Sequence, residues 1–501
     1  MVATRTIDDT VLVVGGGLVG GMFALMLRQE GFNVEMHERR PDFRKEDIAI
    51  EGGAHGQLTN TTKRSINLAL SYRGICALEQ VGLKHEVMKL VIPMKGRAVH
   101  LQGKEGFTLQ PYGTADQAIN SVGRTELNEL LLTQAEKAGV KIVFESKLES
   151  ISRDGVATFT NANGVVEAIK PQAVFGSDGA FSAVRDQMSR LCHLDFNRKY
   201  VPHGYKELTI PADPKTGDFQ MFPNALHIWP RHDFMMIALP NPDKTFTCTL
   251  FAPFEGPDGL ETIKRGGEAS VRKYFERNFA DSIPFFQGNH ISEFMSNPSS
   301  PLLTCRLAPW SVVTEEGAKV ALLGDAAHAI VPFYGQGMNA GFEDCLVLLE
   351  CLREANNNIA LAIKNYDRIR RPAGNGIADL SLNNYHEMSS KTASPMFQLK
   401  RKVDKFLHSL FPQSWIPLYT MVSFTRIPYN EVVERAQRQD KILNTAGSIF
   451  RYSAVAAAAA ALYLSHSEHG TTVRNAFDRT FMSFFPSVEL KGLFSSSAAK
   501  Q

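Results

Sequence analysis

Apolar residues near the start of the chain come in short unbroken runs, each closed by glycine. Residues 11–14 are all apolar, and Gly15-Gly16-Gly17-Leu18-Val19-Gly20 follows them. A helical apolar period then runs to about Glu30, with Gly31 placed as its stop. Residues 33–38 read as a second strand, ending in Glu38-Arg39-Arg40. Polar, glycine-rich residues 44–63 read as a surface loop inserted in this domain. A second αβ stretch comes next: a helix at 74–81, a strand near Arg97, a helix over 124–138 and a strand at 141–145. Residues 174–179 then return an apolar strand into Gly176-Ser177-Asp178-Gly179.

From about residue 200 to 254 the period changes to two, with Thr, Tyr, Phe and Ile enriched and strands expected at 227–230 and 235–239. One more apolar strand, 320–323, precedes a helical period that resumes at Gly341 and dominates to the end. The pattern predicts an α/β chain with a Rossmann-like domain over 1–199, continued over 301–360. An antiparallel sheet domain, placed to hold a substrate, is inserted at 200–300. C-terminal helices over 361–445 close the pocket, and residues 446–501 form a tail.

Composition narrows the classes. With 54 basic and 52 acidic residues the net charge is +2, so nothing electrostatic favours a nucleic-acid partner. Six cysteines form no Cys-x-x-Cys pair and have no interleaved histidines; they read as reduced core residues, and no metal is expected. The first ten residues include Asp8 and Asp9 and no apolar core, so no cleavable targeting segment is expected.

Three motifs carry the candidate chemistry. Gly15-x-Gly17-x-x-Gly20 lies between a strand and a helix, where glycines let the backbone approach a pyrophosphate. Glu38, eighteen residues beyond Gly20, ends the next strand and is placed for ribose hydroxyls. Gly176-Ser177-Asp178-Gly179 alone would be an ordinary turn capping a helix at Ser182. Gly324-Asp325 puts a carboxylate at a strand end, ready to accept hydrogen bonds from a polyol. Shortly after it, Gly335-Gln336-Gly337-Met338-Asn339 opens a helix whose first amides favour negative charge. A ribityl chain and a reducible ring with an anionic form suit the two ends, and FAD has both. The Rossmann-like domain is therefore expected to bind FAD.

In this order the three motifs resemble the group A flavoprotein monooxygenases, aromatic hydroxylases with one FAD domain and no separate NADPH domain. Longer strings narrow the resemblance to members that act on L-kynurenine. These include residues 64–71, Ile92-Pro93-Met94, Pro111-Tyr112-Gly113-Thr114, residues 202–211, residues 226–231 and residues 417–422. The resemblance covers most of residues 10–440; the loop at 44–63 and the tail depart from it. It implies NADPH-driven reduction of FAD, addition of O2 to give a flavin C4a-hydroperoxide, and hydroxylation of L-kynurenine to 3-hydroxy-L-kynurenine on the route from tryptophan towards NAD. It further implies that Arg97 binds the substrate carboxylate, with Tyr112, Asn384 and Tyr419 as polar partners. Leu18, Arg40, Ala69 and Arg124 fall on the FAD side, and Pro332, Phe333 and Gln336 at the reacting edge. Without the resemblance Arg97 would pass for a surface cation, Arg124 for a helix-surface one and Arg39-Arg40 for a solvated strand end. His328 reads as a turn histidine, and Trp229 as sheet core or pocket wall.

The tail segment 448–466 is alanine-rich. Its few strongly apolar residues contribute roughly −0.3 to −0.6 kcal/mol each to insertion, against about +2.5 to +3.5 kcal/mol for a central arginine. It therefore reads equally as a packed helix or a marginal span. The resemblance implies a C-terminal anchor in the mitochondrial outer membrane, with the enzyme facing the cytosol. Three other readings share these motifs: a hydroxylase of another anthranilate-like or phenolic substrate, a flavin halogenase, and a binding protein that keeps the scaffold. The halogenase lacks its Trp-x-Trp-x-Ile-Pro run here.

Overall fold

The computed structural model describes residues 4–45, 67–114, 117–386 and 395–465. The loop expected at 44–63 lies outside them from residue 46 onward, as does the tail beyond residue 465.

Five parallel strands make the centre of the first sheet, in the order Lys319–Leu322, Val166–Gly176, Thr4–Val14, Asn33–His37 and Lys141–Val143. Ser311–Val313 adds an antiparallel edge. Both faces of such a sheet are covered, so its strands read as continuous apolar runs, and residues 11–13 are fully buried. The helices Leu18–Gln29 and Gly337–Glu354 pack against this layer, burying Phe23, Met22, Phe342 and Leu348. Each such side chain contributes about 1.5–3 kcal/mol through burial.

The second sheet has seven strands in the order Ser300–Ala308, Asp195–Ile210, Phe246–Pro253, Phe234–Pro240, Leu226–Arg231, Gly96–Val99, Thr108–Pro111. Its period-two members were legible in the sequence. Its last two strands were not, because a strand near Arg97 carries no sign of which sheet it joins; it pairs parallel to Leu226–Arg231. A larger difference lies behind this sheet. Residues 260–296, within the antiparallel sheet domain expected over 200–300, form the helices Leu260–Arg265, Gly267–Asn278, Ile283–Phe286 and Asn289–Ser296. Their many aromatics imitate a strand composition, yet Phe275, Phe279, Phe286 and Phe294 pack as one apolar layer on the sheet's outer face with Trp229 and Phe246.

The C-terminal part is helical, as expected: Ile359–His386, Pro395–Leu410, Leu418–Phe424 and Tyr429–Ser465. Contacts divide the chain into one unit of residues 1–433 and another of 434–501. Among the described residues no helix is long and apolar enough to cross a membrane.

Candidate active site

The three glycine motifs meet at the carboxyl ends of the parallel strands, where ligands of such sheets bind. Backbone hydrogen bonds stitch them together: Gly15 N donates to His37 O at 2.8 Å, Ser177 N to Val14 O at 2.8 Å and Leu323 N to Gly176 O at 2.9 Å. Gly15 has φ +107, and a Cβ there would lie 2.7 Å from Ser177 O. A Cβ on Gly20 would lie 1.9 Å from Gly15 O, so this glycine seats the helix on the turn. At Gly17 a Cβ would meet nothing within 4 Å, because that face opens into a cavity of about 580 Å³.

Glu38 stands beside this turn with both carboxylate oxygens engaged. Oε2 accepts from Gly16 N at 2.7 Å; Oε1 accepts from Arg40 N at 2.9 Å and Arg40 Nε at 2.8 Å. Burial pushes its carboxyl up, but Arg40 and the Gly16 amide outweigh that and hold it below the usual carboxylate range. Asp178 behaves as the ordinary reading of its motif suggested. Its Oδ2 accepts from Ala183 N and Val184 N at the start of Ala183–Leu191, and Ser182 caps the same helix.

Asp325 differs from both. It lies deep in the fold, yet its side chain is solvent-accessible because it faces the cavity. Burial raises its carboxyl above the ordinary range despite the charges of His328 and Arg124, and no described residue donates a hydrogen bond to it. A carboxylate set deep in the fold, open to the cavity and without a donor from the described residues, fits a ligand that brings hydroxyls. Beyond it, the helix Gly337–Glu354 begins at the cavity wall with no acidic residue in its first turn. Its first amides have no intrahelical partner and favour negative charge. Thus the open glycine face, the donor-less carboxylate and the helix end fit a dinucleotide carrying a polyol and an anionic ring.

Arg97 lies on the strand Gly96–Val99, Tyr112 directly follows the strand Thr108–Pro111, and Tyr419 comes from the helix Leu418–Phe424. The tyrosine rings stack with centroids 4.9 Å apart at 12°, and the Arg97 guanidinium lies 4.7 Å from the Tyr419 ring centre and 5.8 Å from that of Tyr112. Arg97 is only 5% exposed. Burial and the neighbouring tyrosine push the Tyr112 hydroxyl well up, with Arg97 opposing; burial does the same to Tyr419. Both hydroxyls therefore stay protonated donors at neutral pH.

The cavity wall brings together Gly15, Gly17, Leu18, Glu38, Arg40, Ala69, Arg124, Asp325, Gly337 and Met338 on one side. Arg97, Tyr112, Tyr419, Pro332 and Phe333 complete it on the other. Four expected residues do not line it. Gly20 sits behind the turn. Gln336 is 1% exposed, accepting from Tyr429 OH at 3.0 Å. Asn339 ties the helix end to the strand Asn67–Leu70, donating to Ala69 O and accepting from Ser71 N. Asn384 donates to Phe333 O at 2.7 Å, holding the Pro332–Tyr334 turn.

The rest of the wall was missed. Met235, Ile237 and Leu239 alternate inward from one strand, Thr249 and Phe251 from the next, and Tyr205 and Glu207 from a third. Period-two alternation was the available signal, but it does not say which face looks on the cavity. Tyr334 also went unnoticed; its ring stacks on Tyr419 at 5.7 Å. Trp229 is sheet core, and His328 is a turn histidine only half satisfied: Nε2 bonds to Asp344 and the ring stacks on Trp310, while Nδ1 is buried without a hydrogen-bond partner among the described residues.

The FAD binding domain family matches residues 8–200 and 311–381. Kynurenine 3-monooxygenase of Sus scrofa is 42% identical over 441 residues, covering 87% of this chain and 88% of the relative. That of Caenorhabditis elegans is 39% identical over 481 residues, covering 92% and 99%. The chain belongs to the kynurenine 3-monooxygenase family. Bacterial members of the family match as well, that of Flavobacterium johnsoniae with 40% identity over 86% of this chain and 92% of the relative. The fold is shared with the tetrameric form of 2-methyl-3-hydroxypyridine-5-carboxylic acid oxygenase, with TM-score 0.59, 22% identity and coverage of 77% and 94%. It is shared too with P. aeruginosa PqsL in complex with 2-aminobenzoylacetate, with TM-score 0.59, 22% identity and coverage of 77% and 98%.

Proposed function

We propose that the protein hydroxylates L-kynurenine to 3-hydroxy-L-kynurenine with FAD, NADPH and O2, one oxygen atom entering the ring and the other leaving as water. The observation that supports this most is the single cavity of a family member, with flavin-fitting groups at one end and the Arg97–Tyr112–Tyr419 cluster at the other. Bound FAD, reduced by the nicotinamide, supplies activation of O2 and transfer of one oxygen atom.

The protein's own groups hold and orient. Asp325 accepts from the polyol, and Glu38 has room for a ribose hydroxyl beside Gly16 and Arg40. The Gly337 and Met338 amides stabilise negative charge on the reduced ring. Pro332, Phe333 and the apolar strands Phe234–Pro240 and Phe246–Pro253 exclude water from the reacting edge. Arg97 takes the substrate carboxylate in bidentate fashion, and the protonated Tyr112 and Tyr419 hydroxyls donate to it. The substrate's amino group already enriches the ring carbon beside it, so the chain needs no strong base. Asn384 and Gln336 act from behind the wall, on the Phe333 turn and the helix end.

NADPH oxidation by the purified flavoprotein should be accelerated by L-kynurenine and not by 2-aminoacetophenone, which keeps the ring and amine but lacks the amino-acid end. Equal acceleration by both would remove Arg97 from substrate recognition. The mitochondrial outer-membrane placement rests on the resemblance alone. Sedimentation of the full chain with membranes, before and after removal of residues 446–501, tests whether that tail attaches it.

A further inference from the structure

One buried cation joins the two ends of this cavity without touching it. Arg73, on the helix Tyr72–Gln80, is fully buried. Its Nη1 donates to Glu343 Oε1 at 2.6 Å, on the helix whose first amides face the cavity. Its Nε donates to Val422 O at 3.3 Å, and its Nη2 to Ile427 O. Those carbonyls lie in and just after the helix Leu418–Phe424, which carries Tyr419. The face of the guanidinium lies 3.9 Å from the centre of the Tyr429 ring, and the Tyr429 hydroxyl donates to Gln336 Oε1 at 3.0 Å. Gln336 is the residue that precedes Gly337 and caps the anion-facing helix.

Leu418–Phe424 has seven residues, too few to hold its own position in water. Tertiary tethers therefore decide where Tyr419 points, and Arg73 satisfies two carbonyls at its C-terminal end. Only a planar fork reaches a carboxylate and two carbonyls while lying flat on a ring; an ammonium offers a single nitrogen. We propose that Arg73 is a positioning residue, locking the helix that bears Tyr419 to the helix that faces the bound ring, and so setting the distance between the Arg97–Tyr419 cluster and the reacting edge. The inference rests on the substrate reading above.

The test uses the flavin-loaded full chain with Arg73→Lys, Arg73→Met and Tyr429→Phe. Lys206→Met serves as control: it removes another buried cation, one that tethers a different helix end through Phe294 O and Asn297 O. Arg73→Lys should raise KM for L-kynurenine about tenfold and speed amide hydrogen exchange across residues 418–427. Tyr429→Phe should lower product formed per NADPH with KM changed less than twofold. Lys206→Met should lower thermal stability and leave KM and that exchange unchanged. If Arg73→Lys matches Lys206→Met, losing stability while KM and exchange at 418–427 stay within twofold of the parent, the proposal is overturned. Should Arg73→Met fail to fold, the lysine and Tyr429 variants still decide. Should the parent fail to oxidise kynurenine, the substrate reading falls, and the exchange measurement still tests whether Arg73 fixes the helix.

Discussion

Replacing Arg97 by methionine keeps an unbranched apolar stem and removes the guanidinium with its charge. The guanidinium is 5% exposed and flanked by two tyrosine rings, so water replaces it poorly as a carboxylate partner. A bidentate pair comprises two charge-assisted hydrogen bonds, each contributing about 1.5–3 kcal/mol. Allowing the Tyr112 and Tyr419 hydroxyls to retain part of the binding, a net loss of roughly 3 kcal/mol corresponds to about a hundredfold in affinity. Steady-state kinetics should show that rise in KM for L-kynurenine, with kcat changed less than about fivefold. Lysine keeps the charge and loses the fork, so Arg97→Lys should fall between, near tenfold. Flavin content, read from visible absorbance, should be unchanged, because Arg97 lies in the second sheet and not at the glycine turn. Loss of flavin with an unaltered KM would refute the reasoning and move Arg97 to the scaffold.

Three further outcomes follow from the geometry. Gly17→Ala meets open space and should leave the apoprotein's melting temperature within a few degrees while lowering FAD occupancy; Gly20→Ala, whose Cβ would lie 1.9 Å from Gly15 O, should abolish soluble folded protein, as read by circular dichroism. Asn384→Leu removes the 2.7 Å bond to Phe333 O and should raise peroxide release several-fold relative to product, measured by a coupled peroxidase assay, with a smaller effect on KM. His100 and His227, hydrogen-bonded to each other, are pushed by burial to about 3 and about 4. Because their folded values lie below the unfolded one, their neutral forms contribute fully above pH 6.5, and stability falls as pH drops through 6.5 towards 4. From pH 7 to 5 the loss is about 2 kcal/mol per histidine; denaturant midpoints that fell no faster for the parent than for His227→Gln would contradict this.

The nucleotide half of the site was readable because its information is local. Gly15 and Gly20 are forced by one turn, Gly17 opens its face to the ligand, and Gly324-Asp325 closes one strand end, so the residues that shape the cavity stand near each other in the chain. The substrate half is assembled from strands a hundred residues apart, and Arg97, Tyr112 and Tyr419 had only the family resemblance to join them. Even that resemblance carried no depth. It placed Gln336 at the reacting edge and Asn384 beside Tyr419, whereas both lie behind the wall, Asn384 holding the Phe333 carbonyl and Gln336 accepting from the Tyr429 hydroxyl. The aromatic helices over 260–296 stayed hidden for a different reason, since phenylalanine packs as well on a sheet's outer face as within a strand. Arg73 had no signal at all, because its partners lie about 270 and 350 residues further along the chain.

The central claim is that one cavity holds flavin and L-kynurenine so that oxygen passes from O2 to the substrate ring. Turnover under dioxygen enriched in the heavy isotope, with NADPH and L-kynurenine and the product analysed by mass spectrometry, tests it most directly. The product should be a hydroxylated kynurenine carrying one heavy oxygen on the ring carbon beside the amine. Unaltered kynurenine with NADPH consumed only to peroxide, or a product whose new oxygen came from water, would contradict it.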